Sequence, residues 1–303
     1  MSRYLVTGGT GFIGRWVTAQ LLVAGHEVRI FDASPRPAML DDVAPGLGAL
    51  PECVTGDIAD GSVRQAAEGC DGIVHLAGVM TVDAAADPVR AAQINLIGSL
   101  HVFGAAQALG LRRLAYVSTA GVFGPEDGTH PRPMTHYGAQ KLAVEGAARA
   151  YCADHGLPSV GLRPYIVYGP GQSSGIAAGP SVALAAAVSG MEATIRFSGR
   201  VGFIYVEDVA AALVTAVTHD MSGASVCTLA GETAEMDHFV SRIRAAVPGA
   251  HVEIDGAPLR IPGDLAETPL PGPLAGLPVT GIDDGIARTL AHYRLRAAAG
   301  EPT

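Results

Sequence analysis

Short apolar runs alternate with longer amphipathic stretches through the first half of the chain. The runs at 5–7, 28–32, 53–55, 72–76, 114–118 and 160–163 are mostly apolar and lack strict two-residue alternation, the pattern of strands buried on both faces. Between them, stretches near 12–24, 62–69, 88–109 and 137–155 repeat apolar positions at helical spacing. This alternation predicts an α/β fold, a Rossmann-type doubly wound parallel sheet with helices on both faces. After Gly169-Pro170-Gly171 the rhythm breaks. Residues 171–180 read as a loop, 182–189 as a helix, 194–197 as a strand, and 206–218 as a helix whose first turn carries Glu207 and Asp208, suited to its N-terminal dipole. A short strand at 226–229, a Pro- and Gly-rich wrap over 255–281 and a final helix at 282–295 follow. The expected division is a sheet domain over 1–165, with 201–219 packing back onto it, and a smaller lobe over 166–303. That lobe reads as too broken to build a large core of its own, and as closing over a cleft at the strand C-termini.

The turn after the first run is Gly8-Gly9-Thr10-Gly11-Phe12-Ile13-Gly14. Gly8, Gly11 and Gly14 fall three apart between a strand and a helix. Such glycines permit positive φ in the turn, close approach of a phosphate to the backbone, and tight packing of helix on strand. The helix then points its free N–H groups and partial positive charge at the anion, so the unit predicts a site for a dinucleotide pyrophosphate. Asp32 closes the second run eighteen residues after Gly14, near the ~20 expected for a ribose-binding carboxylate. A carboxylate there accepts hydrogen bonds from a ribose diol and repels a 2′-phosphate, which favours NAD over NADP; Arg36 nearby softens the preference. Asp57, after the third run, suits the adenine edge. Plainer readings exist: a structural glycine turn, and an Asp-Ala-Ser-Pro turn that uses Asp32 locally.

Composition narrows the class. In 303 residues, 49% hydrophobic and 16% charged, a substantial core is available. A net charge of −9 argues against nucleic acid. No apolar run approaches the ~18 residues that span a bilayer, and residues 1–7 enter a strand directly without a signal-peptide apolar region, so a cytoplasmic protein with no membrane partner is expected. Cys53, Cys70, Cys152 and Cys227 show no Cys-x-x-Cys spacing, and the ten histidines form no His-Glu-x-x-His pattern. Free thiols and no metal are expected.

Tyr137 and Lys141 stand four apart, on one face of a predicted helix. Lowering a phenol from pKa ~10 to ~7 takes about 4 kcal/mol at ~1.4 kcal/mol per unit. A lysine charge ~4 Å away at an effective dielectric of ~20 supplies a gross term of about that size. The pair therefore suits proton exchange with a substrate hydroxyl, Lys141 stabilising the phenolate and anchoring the nicotinamide ribose. Ser118 and Thr119 end the fifth run at the rim where doubly wound sheets place ligands. One of the two is expected to hydrogen-bond the reacting oxygen. A chance Tyr/Lys pair and a plain Ser/Thr turn are the competing readings, weakened by the glycine turn and five βα units upstream.

With these residues in view, the chain resembles the extended short-chain dehydrogenase/reductases, the NAD-dependent epimerase/dehydratase group, over nearly its whole length. The glycine motif is similar to the family's opening. His75-Leu76-Ala77-Gly78, Asn95-Leu96-Ile97-Gly98-Ser99, Val122-Phe123-Gly124 and Tyr168-Gly169-Pro170 are similar to its internal landmarks, and Phe203-Ile204-Tyr205-Val206-Glu207-Asp208 to its late helix start. The resemblance implies Thr119, Tyr137 and Lys141 as the catalytic set. It also implies a cofactor lining that adds Thr10, Phe12, Ile13, Ile58, Leu76, Ala77, Gly78, Asn95, Ser118, Tyr165 and Val167 to the glycines, Asp32, Asp57 and the Tyr/Lys pair. Departures matter too. Ala120 and Gly121 stand where the dehydratases carry Asp and Glu, which disfavours elimination. Ile166 replaces the Asn that helps epimerases hold a diphosphate; Val201 and Gly202 replace an Arg-Asp pair.

The expected function is therefore NAD-dependent hydride transfer at a secondary alcohol or ketone of a small carbohydrate-like substrate. The alternative is a nucleoside-diphosphate-sugar 4-epimerase that grips its diphosphate through other groups such as Arg196 or Arg200; a non-catalytic NAD-binding sensor comes third. A homodimer through the helices near 88–109 and 137–155 is expected. Apolar residues of 89–109 fall on more than one side, and only one side can face the sheet.

Overall fold

The computed structural model describes residues 1–266 and 268–300; Glu267, inside the expected 255–281 wrap, and residues 301–303 lie outside the described residues. Strands β1 (Arg3–Thr7), β2 (Glu27–Asp32), β3 (Glu52–Thr55), β4 (Gly72–His75) and β5 (Leu114–Val117) form five of seven strands in one sheet. The order β3-β2-β1-β4-β5 continues through Ser159–Pro164 to Ala224–Leu229, and every pairing is parallel.

The apolar runs are near-continuous because both faces are covered. One face buries Tyr4, Val6, Ile30 and Val74 against helix α1 (Phe12–Val23) and the Val206–Thr218 helix. The other buries Leu5, Phe31, Ile73 and Tyr116 against the Gly98–Ala108 and His136–His155 helices. The strand pattern at 226–229 extends to Ala224–Leu229 and joins this sheet beside Ser159–Pro164, although it comes from the second half of the chain.

The 88–109 stretch is not one regular helix. Pro88–Ala92 and Gly98–Ala108 are α-helical, and the intervening Gln93–Ile97 is π-wound. Among the described residues no helix is long and apolar enough to cross a membrane.

The second lobe has a core, contrary to the reading of its sequence. Ile166–Tyr168, Arg200–Tyr205 and Glu232–Glu235 form a three-stranded sheet, and Ala193–Ile195 pairs with Val252–Ile254. Phe203 and Phe239 stack with centroids 4.5 Å apart, and Tyr168 meets both edge-on. Leu184, Ile195, Val240 and Ile286 close around them. Strands this short, drawn from separate parts of the chain, carry no periodic signal of their own. Their shared core exists only after they meet.

Candidate active site

Chain order reverses between β1 and β4, leaving a crevice at the C-terminal ends of the strands. The glycine turn enters it. Gly8, at φ +68°, lies so close to the exit of β4 that a Cβ there would stand 2.9 Å from the Ala77 backbone nitrogen. A Cβ on Gly14 would stand 2.1 Å from the Gly8 carbonyl oxygen, so α1 rests directly on the turn. Gly11 caps α1 with no side-chain hydrogen bond. The first-turn N–H groups, those of Phe12 and Ile13 among them, are left for an anion. The side chains of Phe12 and Ile13 pack into the core. The cradle fits a pyrophosphate.

Asp32 sits at the end of β2. Its Oδ2 accepts from the Thr10 hydroxyl at 3.1 Å and its Oδ1 from the Ser34 N–H at 3.0 Å, which fixes the carboxylate yet leaves acceptor capacity for a diol. Asp57 accepts from the Ala59 N–H at 2.9 Å and pairs with Arg90; these two contacts hold its carboxyl below the usual range. Ile58 beside it is buried, close against Gly98.

The opposite wall is braced by a buried polar chain. The Leu76 and Ala77 N–H groups both donate to Thr7 Oγ1 at 3.1 Å. The Thr7 hydroxyl proton therefore goes to His75 Nδ1 at 2.7 Å, and Nε2–H donates to Ser99 Oγ at 2.9 Å. Ser99 in turn donates to the Asn95 carbonyl at 2.6 Å. Burial lowers His75 to about 3, which keeps the ring neutral as this chain of donors requires. Asn95, in the π-wound turn, accepts from the Val79 N–H at 2.9 Å and donates to the Val79 carbonyl at 3.0 Å and to Gln140 Oε1 at 2.8 Å. It thus ties the loop after β4 to the His136–His155 helix. A Cβ on Gly78 would stand 2.9 Å from Asn95 Oδ1 and 3.8 Å from Lys141 Nζ, so the missing side chain keeps the space beside Lys141 open.

Thr135 caps the His136–His155 helix, its Oγ1 accepting from the Gly138 N–H at 3.0 Å. One turn apart on that helix, Lys141 Nζ lies 5.8 Å from the centre of the Tyr137 ring and donates to the Val117 carbonyl at 3.0 Å. One turn further, the fully buried Glu145 accepts from the Ser118 hydroxyl at 2.5 Å and from Arg163 at 2.8 and 2.5 Å. The Ser118 hydroxyl is thereby held in this buried network, while Thr119 reaches the cavity with Oγ1 accepting from the Gly121 N–H at 3.0 Å.

Burial pushes the Tyr137 phenol above its ordinary value and lowers Lys141 to about 8, against the raising influence of Glu145. The helical spacing alone predicts that Lys141 lowers the phenol. In the folded protein the phenol is raised instead, because burial disfavours its charged form.

A cavity of about 250 Å³ opens where the C-terminal ends of the sheet strands meet the lobe. This is near the small end of ligand clefts, which run ~300–1,000 Å³. Thr119, Tyr137 and Tyr165 line it, and Tyr165 also donates to the Ile261 carbonyl at 3.1 Å. Val167 faces the core between the sheet and the Val206–Thr218 helix instead. Arg196 and Arg200 are not in the lining. Each is met on the surface by a local carboxylate, Asp255 at 2.6 Å and Asp264 at 2.8 Å, which removes the geometric basis for either as a substrate anchor. Among the described residues, the one charged side chain in the lining is Arg260, which no sequence signal marked. Glu145 was also missed, although its place one helical turn after Lys141 was a usable signal. Met80, Met134, Leu259 and Ile261 in the walls carried none, lying in loops without periodicity.

Comparison with known proteins gives the family and the fold. Residues 4–229 match the model of the NAD dependent epimerase/dehydratase family. A dihydroflavonol 4-reductase from Hordeum vulgare is 29% identical over 253 residues, 74% of this chain and 70% of that one. A 2-alkyl-3-oxoalkanoate reductase from Stenotrophomonas maltophilia is 29% identical over 269 residues, 83% and 77% respectively. The solved structure of a Thermus thermophilus UDP-glucose 4-epimerase in complex with NAD matches with a TM-score of 0.78 and 30% identity, over 96% of this chain and 99% of that one.

Proposed function

The chain belongs to the NAD-dependent epimerase/dehydratase family, and we propose that Tyr137, Thr119 and Lys141 serve hydride transfer at a secondary alcohol or ketone of a small substrate, carbohydrate-like at its reacting end. The protein is an NAD-dependent oxidoreductase. When bound, NAD supplies the hydride acceptor or donor; the remaining tasks fall to the chain. The glycine turn and Asp32 would hold the pyrophosphate and ribose, and the loop from Leu76 to Gly78, braced by Thr7 and Asn95, would border the nicotinamide half. Tyr137 Oη takes the hydroxyl proton in oxidation and returns it in reduction. Thr119, whose oxygen already accepts from Gly121, directs its own proton at the reacting oxygen. Lys141 carries positive charge near Tyr137.

The observation that carries this reading is that Tyr137 and Thr119 open on one cavity while Lys141, one turn on, borders the Gly78 loop. The test is NADH formation by the purified protein over secondary alcohols, sugars and sugar acids, or NADH consumption with the matching ketones. A complete absence of turnover while NAD binds would overturn it. The second reading, a UDP-sugar 4-epimerase, is favoured by the likeness to the Thermus thermophilus enzyme. It predicts NAD retained through purification and interconversion of UDP-glucose and UDP-galactose without release of NADH.

The same proposal includes a cytoplasmic homodimer. Its support is four free cysteines and an outward apolar stripe on the helices that flank the sheet: Val89 is 71% and Ile97 41% exposed, with Ala139 and Ala143 exposed on the Tyr137 helix.

A further inference from the structure

We infer that the substrate carries its secondary alcohol or ketone on an apolar body, aromatic, alicyclic or alkyl, and that this body, not a nucleoside diphosphate, fills the outer part of the cavity. The inference rests on the hydride-transfer reading above and names its substrate class.

The cavity has two chemistries. Along with Tyr137 and Thr119, the lining includes the polar side chains of Thr81, Thr135 and Gln172, enough to meet a hydroxylated reacting end. The Gln172 Oε1 is already taken by the Ser181 hydroxyl at 2.8 Å, which leaves its amide N–H groups as donors. The rest of the lining is mostly apolar, with Phe123, Ile166, Ala177, Leu259 and Ile261 in it and Ser174 and Arg260 as its polar members. The strap bearing Leu259 and Ile261 is held in place by the Tyr165–Ile261 hydrogen bond and by a bridge between Ser198 and Pro258.

The rim points the same way. Met80 is 49% exposed, Val82 55%, Met134 50% and Ile176 43%. All four border this cavity, and they come from three separate segments of the chain. Scattered exposed apolar side chains are ordinary; their convergence on one opening marks a surface that an apolar partner covers.

The lining is poor in partners for the other occupant. A diphosphate needs cationic or amide partners on leaving water. Among the described residues the lining offers one cation, the exposed Arg260, and one side-chain amide, Gln172, with no buried cation. Arg196 and Arg200 lie outside the lining, paired on the surface with Asp255 and Asp264.

The test is a set of initial-rate measurements with the full chain and NAD. The substrates are secondary alcohols and their ketones with one hydroxylated head and methyl, butyl, hexyl, cyclohexyl or phenyl bodies, alongside UDP-glucose and UDP-galactose. The expected result is a kcat/KM that climbs roughly fourfold per buried methylene until the cavity is full, with the UDP-sugars far behind. Leu259→Asn and Met134→Gln should flatten that climb, the loss appearing in KM for the larger bodies. Calorimetric NAD binding confirms that each variant is folded. A flat series, or UDP-sugars as the best substrates, overturns the inference while leaving the hydride-transfer reading intact. No turnover in any class while NAD binds overturns both.

Discussion

Tyr137 is 7% exposed yet borders the cavity, so its proton exchanges with the cavity's occupant rather than with bulk water. Tyr137→Phe should lower turnover ~10²–10⁴-fold while calorimetric NAD binding persists; near-normal turnover would show that the proton moves elsewhere. Thr119→Ala should cost less, and Thr119→Ser least, because serine restores the hydroxyl. Lys141 adds a pH signature. Its folded value of about 8 lies below the ordinary 10.5, so its charge is lost as pH rises through about 8 and turnover that depends on it should fall there. Stability moves the other way. Between about 8 and 10.5 the unfolded chain holds a proton that the folded chain has released, so this group's contribution to stability rises with pH. A pH–rate profile and a melting series over the same window check both signs. Asp32→Ala should narrow the preference for NAD over NADP, by weakening the ribose contact and relieving repulsion of a 2′-phosphate; titration calorimetry with both dinucleotides measures it.

At the scale of elements, the strand–turn–helix unit over β1 and α1 depends on what is missing from it. A methyl group at Gly14 would meet the Gly8 carbonyl and the Gly9 backbone, neither of which can swing aside as a side chain does. Gly14→Ala should therefore cost about 1–3 kcal/mol of stability, the range for overpacking, and weaken NAD binding, because α1 must lift off the turn proposed to receive the phosphates. Denaturant unfolding and calorimetry would register the two losses; unchanged values in both would show that the helix has slack. The elements legible in sequence are those with local signals: the glycine spacing of this unit, and the helical repeat near 137–155 that carries Tyr137 and Lys141, which the structure gives as His136–His155. The π-wound turn at Gln93–Ile97 was not legible. It lets Asn95 span Val79 and Gln140, partners far away in sequence.

For the whole molecule, the helices over 88–108 divide their apolar residues between two faces. Ala91, Val102, Phe103 and Ala105 turn inward and are buried, while Val89 and Ile97 remain outside. Paired with Ala139 and Ala143, that outer stripe suits a four-helix contact about a two-fold axis. Light scattering across a dilution series should give twice the 30.9 kDa chain mass at micromolar concentration. Ile97→Glu should shift it toward the monomer, whereas a monomer mass for the unaltered chain would refute the dimer.

The nucleotide half of this protein was written in short stretches of sequence, because each part of it is local. A glycine turn, the acid that closes the next strand, and a Tyr/Lys pair one helical turn apart all obey spacings set by backbone geometry. What the tertiary structure decided are the properties that need distant residues or burial. It drew Ala224–Leu229 back into the main sheet and built the second lobe's core from Tyr168, Phe203 and Phe239. It turned the Ser118 hydroxyl into the Glu145 network and left Thr119 on the cavity. It raised the phenol that the spacing alone had lowered, since desolvation depends on what surrounds a group in space. And it lined the cavity with apolar side chains from loops that no periodicity connects, so the chemistry of the substrate's far end is a property of the folded chain.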